Sequence, residues 1–330
     1  MKKTCILGII TIILCSCVTE NDTYLEISLA DVESDDGKVL LADPFIMVYN
    51  GVYYAYGTTG SRDFYAYVSS DLEYWERYET PVLKGEDSYG EKWFWAPEVY
   101  YNNQDNKFYM YYSAEMWLCV AVSDSPLGPF IQKEKNPLWY GIDPTILMED
   151  EMKYICFVEL AERSIISVEL MNSLERFSEN RPKAVLVPNQ EWEGSQTIEG
   201  PCIVKVGDKY MMTYSGNDYQ SPDYGIGVAV ADDPMGPWTK YEGNPVFRYP
   251  AYKGVHLEGV GHNSLFKDLD GNWRMVFHAH SVKGIDGGRF MHIVSVDLLD
   301  HPPYIVFHDD IFAPKLVDEA DTSNTNSAGN

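Results

Sequence analysis

The sequence predicts an all-β chain folded as a five-bladed β-propeller, and three observations carry that prediction. Helix signals are scarce, while short runs rich in Tyr, Val, Ile and Phe alternate with turn residues. Five times an apolar run turns sharply into an aromatic one. Counting back eleven positions from the aromatic markers Tyr54, Tyr109, Tyr154, Tyr210 and Trp273 reaches Asp43, Glu98, Asp143, Glu199 and His262. The markers stand 55, 45, 56 and 63 residues apart, a period near fifty with several short strands per unit, which points to radial blades. The innermost strand of each blade lines the axis, so a position shared by five repeats converges there. A β-sandwich would accept the strands but leave the phase-locked repeat unexplained.

Taken in order, the chain opens with Lys2 and Lys3 before an apolar run from Ile6 to Leu14. That run is too short for a membrane span and reads as a secretory signal over residues 1–16. Leu14-Cys15-Ser16-Cys17 resembles a bacterial lipobox, which implies lipidation at Cys17, an exported protein anchored to the cell envelope, and a flexible acidic linker over residues 17–38. The blades are expected within residues 39–317, followed by a disordered tail at 318–330 that is rich in Asp, Ser, Asn and Thr.

Within the blade region the hairpin turns stand out at Asn50-Gly51, Gly207-Asp208 and Asp270-Gly271-Asn272. The second strands are Tyr53-Tyr54-Ala55-Tyr56, Phe108-Tyr109-Met110-Tyr111-Tyr112, Tyr154-Ile155-Cys156-Phe157, Tyr210-Met211-Met212-Thr213-Tyr214 and Trp273-Arg274-Met275-Val276-Phe277. A third element also recurs: Ser123-Asp124-Ser125-Pro126-Leu127-Gly128-Pro129-Phe130 echoes Ala231-Asp232-Asp233-Pro234-Met235-Gly236-Pro237-Trp238, and Ser69 to Trp75 is a looser copy.

The formal charge of −25 and pI near 4.5 exclude nucleic acid and anionic membrane surfaces as partners, because phosphates would be repelled. They suit an exported protein with a neutral substrate. Beyond the signal and Cys17, the cysteines are Cys119, Cys156 and Cys202, far apart and each inside an apolar run. That pattern is neither a disulfide framework nor a zinc signature, and buried small hydrophobes are the expectation.

The converging positions suggest a chemistry. Hydrolysis of a glycoside needs two carboxylates, one to protonate the leaving oxygen and one to activate water or attack the anomeric carbon. A third carboxylate beside the acid raises its pKa by repulsion and keeps it protonated near neutrality. Asp43, Asp143 and Glu199 can supply these roles, and Asp43-Pro44, Asp143-Pro144 and Gly200-Pro201 restrict the chain beside each of them.

At these residues the chain resembles glycoside hydrolase family 43. The matching stretches are Ala42-Asp43-Pro44 with Gly51-Val52-Tyr53-Tyr54, then Trp95-Ala96-Pro97-Glu98, Gly141-Ile142-Asp143-Pro144, Ile198-Glu199-Gly200-Pro201 and Gly261-His262-Asn263-Ser264, in the family's order from residue 42 to about 297. The resemblance implies a five-bladed propeller and an inverting mechanism, with Asp43 as general base, Asp143 as pKa modulator and Glu199 as general acid. It makes Arg289, in Gly288-Arg289-Phe290-Met291, a contact to sugar hydroxyls, for which a planar multi-donor group is suited. Trp95 becomes a subsite wall, and Glu98 is counted with the substrate-binding residues as part of the central hydrogen-bond network. At His262 it implies a structural calcium ion near the axis; no organic cofactor is expected. His278 and His280 share one strand face, but zinc there would need two further ligands, with His256 the only obvious candidate.

The substrate implied is a plant-type polysaccharide or oligosaccharide, cleaved by a monomer at terminal α-L-arabinofuranosyl units. β-Xylosidase and β-galactofuranosidase activity stand behind it. The chain ends soon after the fifth repeat, without the extra β-sandwich of many xylosidases in the family, which tilts the expectation away from β-xylosidase. Fructan-cleaving retaining propellers are disfavoured, since they carry Asn-Asp-Pro and Glu-Cys-Pro where this chain has Ala-Asp-Pro and Glu-Gly-Pro. A glycan-binding surface lipoprotein without turnover would need the aromatic and arginine contacts but no acid–base pair.

Overall fold

The computed structural model describes residues 35, 37–149, 152–160, 164–177, 181–194 and 197–317. The signal peptide, Cys17, most of the linker and the tail lie outside the described residues. No α-helix occurs among the described residues, and the strands form five sheets arranged as a β-propeller, together with one small hairpin.

The first blade is β1 (Ala42–Tyr49), β2 (Val52–Thr58), β3 (Tyr67–Ser69) and β4 (Tyr74–Arg77). The second is β5 (Trp95–Asn102), β6 (Lys107–Ala114), β7 (Trp117–Ser123) and β8 (Trp139–Tyr140). The third contains β9 (Ile142–Met148), β10 (Lys153–Leu160), β11 (Ser164–Ser173), β12 (Arg176–Phe177) and β13 (Lys183–Leu186). The fourth is β14 (Ile198–Val206), β15 (Lys209–Gly216), β16 (Gly225–Ala231) and β17 (Thr239–Lys240). After the hairpin β18 (Ala251–Tyr252) and β19 (Val255–His256) comes the fifth, β20 (Gly261–Lys267), β21 (Trp273–Ser281), β22 (Gly284–Leu298) and β23 (Ile305–Phe307). A last strand, β24 (Lys315–Leu316), returns to pair in parallel with β4. The first strands β1, β5, β9, β14 and β20 touch in that order, and β20 returns to β1, which closes the ring.

The aromatic second strands are apolar on both faces because each sits between two neighbouring blades. Tyr54 and Tyr56 pack with blade two, while Tyr53 and Ala55 pack with blade five. In β6, Phe108, Met110 and Tyr112 turn to blade one, and Tyr109 and Tyr111 turn to blade three. In β15, Tyr210, Met212 and Tyr214 face blade three, and Met211 faces blade five. Strand pleating sends alternate side chains to opposite faces, so five inter-blade clusters among the described residues replace one central core. Cys119, Cys156 and Cys202 are free and buried in these clusters, as small hydrophobes.

Each first strand carries a β-bulge at its mouth. The pairing register slips between Ala42 and Phe45, Trp95 and Glu98, Glu199 and Cys202, and Gly261 and Ser264, and in β9 opposite Cys156 and Val158. Within each slip one residue is left-handed: Asp43, Ala96, Asp143, Gly200 and His262, with φ of 50°, 46°, 55°, 54° and 44°. This corrects the count of eleven, which finds the bulge residue in blades one, three and five only. In blade two the loop between Asn102 and Lys107 is two residues longer than Asn50-Gly51, so the count reaches Glu98 instead of Ala96. In blade four Tyr210 stands one position nearer its turn than Tyr54 does, so the count stops at Glu199, just before Gly200.

Candidate active site

A bulge breaks the ladder and frees a backbone N–H, which must find another partner when buried. Four of the five bulge residues find it on the preceding blade. The N–H of Asp43 donates to His278 Nδ1 (3.2 Å), that of Ala96 to Thr58 Oγ1 (2.9 Å), that of Gly200 to Asp143 Oδ2 (3.1 Å) and that of His262 to Ser215 Oγ (2.7 Å). The left-handed turn at Asp43, Asp143 and His262 therefore aims a side chain at the axis, and at Asp43 and His262 a neighbouring blade holds the backbone behind it.

These side chains meet at a cavity of about 180 Å³, walled by Asp43, Asp143, Glu199 and His262 with Trp95, Ile142, Tyr219 and Arg289. Asp43 Oδ1 accepts a bond from Arg289 Nη1 at 2.7 Å and lies 3.3 Å from His262 Nδ1. His262 Nδ1 is also 3.9 Å from Asp143 Oδ2. Tyr224 donates its hydroxyl to Glu199 Oε1 at 2.8 Å. Tyr219 lays its ring against the Arg289 guanidinium, 4.9 Å from centroid to carbon.

Asp43 and Asp143 are buried and Glu199 is half-buried, yet their charges are pushed in opposite directions. Burial alone would raise the pKa of Asp43, but Arg289 and then His262, His278 and the Thr58 hydroxyl overcome it and hold this carboxyl well below the usual range. Asp143 is pushed up to about 7 by burial and by the charge of Asp43, against the Gly200 N–H and Arg289. Glu199 is also pushed up to about 7, by burial first and Asp143 second, while His262 and the Tyr224 hydroxyl pull the other way. One ionised carboxylate thus faces a pair that keeps its proton toward neutrality.

The remaining expected residues divide between the cavity and its surroundings. Trp95 and Arg289 line the cavity. Glu98 sits apart from those walls, buried, with Tyr100 and Thr145 as hydrogen-bond partners and its pKa raised to about 8 by burial. His278 and His280 do share a face of β21, but they serve different partners. His278 accepts from the Asp43 backbone, while His280 Nε2 meets the Tyr219 carbonyl at 2.8 Å. His256 belongs to the separate β18–β19 hairpin and contacts the Tyr249 carbonyl.

The calcium expected at His262 meets a poor donor set. Among the described residues no three His, Cys, Asp or Glu side chains group to hold a metal ion. Calcium takes roughly six to eight oxygen ligands, so an ion at His262 would have to draw its shell mainly from water, and no step proposed below runs through a metal.

Sequence reading missed Tyr224, Tyr219 and the structural part of His278. Tyr224 enters at the end of a loop 25 positions beyond Glu199, and no repeat phase marks it. The histidine pair was visible, but only the folded ring reveals that Asp43, 235 positions away, is the partner of His278.

Comparison with known proteins agrees with the propeller fold. Residues 37–303 match the family model described as "Glycosyl hydrolases family 43". A solved structure titled as an endo-1,4-beta-xylanase from Bacteroides thetaiotaomicron is 36% identical, covering 86% of this chain and 99% of that one, with a TM-score of 0.80. A thermostable family-43 glycoside hydrolase is 34% identical, covering 83% and 95% of the two chains, with a TM-score of 0.73. A xylosidase/arabinosidase of Thermoclostridium stercorarium is 24% identical over 73% of this chain and 58% of its own length. The chain thus spans little more than half the length of that curated relative.

Proposed function

The chain belongs to glycosyl hydrolase family 43, and from that membership we propose that it is an inverting hydrolase of terminal α-L-arabinofuranosyl units on plant-type polysaccharides or oligosaccharides. The observation that carries the reading is the opposed electrostatics of Asp43 and Glu199 across one small cavity. Asp43, ionised, takes a proton from a water molecule as that water attacks the anomeric carbon. Glu199, protonated, gives its proton to the glycosidic oxygen as the bond to the leaving sugar breaks. The water thus supplies the hydroxyl of the released sugar, with inverted configuration. Asp143 acts on Glu199 through charge, and the Gly200 N–H holds it in place. Arg289 keeps Asp43 ionised and offers its other donors to sugar hydroxyls. A cavity of about 180 Å³ is small beside the roughly 300–1,000 Å³ of ordinary ligand sites, which supports removal of one terminal sugar at a time.

The xylosidase/arabinosidase relative supports arabinose without excluding xylose. The 36% identical structure, titled a xylanase, favours a β-xylosidic bond as the second reading. The test is a panel of aryl α-L-arabinofuranoside, β-D-xyloside, β-D-galactofuranoside and β-fructofuranoside, followed by proton NMR with Glu199→Ala as control. Release of inverted arabinose, lost in the variant, is the expected result. A product of retained configuration would remove Asp43 from the role of base, and preferential release of xylose would favour the second reading.

We further propose export and lipid anchoring at Cys17, on the strength of Leu14-Cys15-Ser16-Cys17. Cys17→Ala should shift the protein from membrane to soluble fractions in its host, and unchanged fractionation would remove the anchor.

A further inference from the structure

Trp95 is a wall between two cavities. One is the reaction pocket; the other, about 340 Å³, is lined in part by Ser61, Arg62, Glu91, Lys92, Trp93 and Trp95 itself. Trp93 and Trp95 lie nearly parallel, with centroids 6.1 Å apart and planes at 20°. Phe94 between them turns the other way into the inter-blade core, where it stacks on Tyr112. The packing of this segment therefore falls to Phe94, whereas Trp93 stays 45% exposed. Its backbone is left-handed, at φ 58°, a region that a bulky residue rarely adopts and that recurs at ligand sites. Arg62 frames the rim rigidly, donating to the Gly85 and Gly90 carbonyls and pairing with Glu91 at 2.7 Å. Lys92 rests 4.0 Å above the Trp93 ring, and an exposed cation–π contact is weak enough for a ligand to displace.

We infer that this second cavity is a sugar subsite, in which Trp93 is the platform for the substrate unit next to the one in the reaction pocket. The inference rests on the glycoside hydrolase reading above. An apolar sugar face matches an exposed indole, and Arg62, Lys92 and Glu91 offer donors and an acceptor to the ring hydroxyls. A larger cavity of about 660 Å³, lined in part by Gln190, Trp192, Asn217 and Asn244, is the rival. It shares no lining residue with the reaction pocket, and the Gln190 and Asn244 amides are engaged with each other, Tyr214 and Val228.

The experiment compares Trp93→Ala and Ser61→Trp with wild type on two substrates: a glycosyl fluoride, whose one-atom leaving group confines it to the reaction pocket, and arabinose-substituted xylo-oligosaccharides. In both variants kcat/KM on the oligosaccharide should fall about tenfold further than on the fluoride. Ser61→Trp fills the cavity from its rim and leaves Trp93 in place, so agreement between the variants separates the subsite from a folding defect. Equal losses on both substrates, or none, would overturn the subsite. Should wild type cleave neither substrate, the hydrolase reading fails first. Calorimetric titration of Glu199→Ala with the same oligosaccharides then decides: Trp93→Ala in that background must weaken binding about tenfold, and unchanged affinity overturns the subsite by itself.

Discussion

Asp43 is a buried carboxyl and Glu199 a half-buried one, and what separates them most is the company each keeps. Asp43 faces a guanidinium and two imidazoles, whereas Glu199 faces Asp143 and a phenol. The sign of each displacement sets the pH profile. Under the proposed roles Glu199 must hold its proton, so kcat/KM on an aryl glycoside should fall as pH rises through about 7. The acid limb, set by Asp43, should lie below the ordinary carboxylate range. Tyr224→Phe tests the assignment, because the phenol donates to Glu199 and favours its ionised form. Removing it should move the basic limb to higher pH by about one unit. An unmoved limb would mean that another group sets it. The Asp-Pro and Glu-Gly-Pro words were legible in the sequence, but Tyr224 was not, since nothing local couples it to Glu199.

At the scale of the element, the bulged first strand explains how a repeated hairpin becomes a site. The bulge turns one residue left-handed and strands its N–H, and the preceding blade supplies the acceptor. Thr58 does this for Ala96 and also helps to hold Asp43 ionised. Thr58→Val keeps the shape but leaves a buried N–H unpaired, which should cost about 1–3 kcal/mol in denaturant unfolding. The same change should raise the acid limb of the pH profile, because a hydrogen bond favouring the Asp43 charge is lost. Stability and profile both unchanged would remove Thr58 from this part. The prolines after Asp43, Ala96, Asp143 and Gly200 marked these turns in the sequence. The count of eleven misplaced two of them because it follows hairpin length in blade two and the place of the aromatic marker in blade four, whereas the bulge follows strand register.

At the scale of the molecule, a ring of five blades needs closure, and here the two ends of the propeller meet at blade one. Lys38 bridges Lys315, so pairing begins at the last residue read as linker, and β24 adds a fifth strand beside β4. The N–H groups of Lys315, Leu316 and Val317 donate to Glu73, Gly37 and Trp75. A chain ending at Pro314 should therefore be less stable than one ending at Val317 by roughly 3 kcal/mol, read as a fall of several degrees in Tm. Equal Tm values would mean that the clasp carries no load. Glu98 makes a second global prediction. Its folded pKa is raised, so the stability it contributes is full below its unfolded value and is lost as pH rises through about 8. Glu98→Gln should flatten that decline in unfolding free energy, by a few kcal/mol at the alkaline end; an unchanged slope would rule Glu98 out as its source.

What the sequence determined by itself is whatever depends on near neighbours: the hairpins, their fivefold recurrence, the apolar faces and the carboxylates at the strand mouths. A turn and the two strands it joins span about a dozen residues, and pleating makes their burial readable from pattern alone. The tertiary structure decided which carboxyl stays charged, which backbone groups are capped and where the cavity opens. Each of these depends on contacts between blades, such as Arg289 with Asp43 across 246 positions, and electrostatic shifts follow distance in space, which chain order does not record.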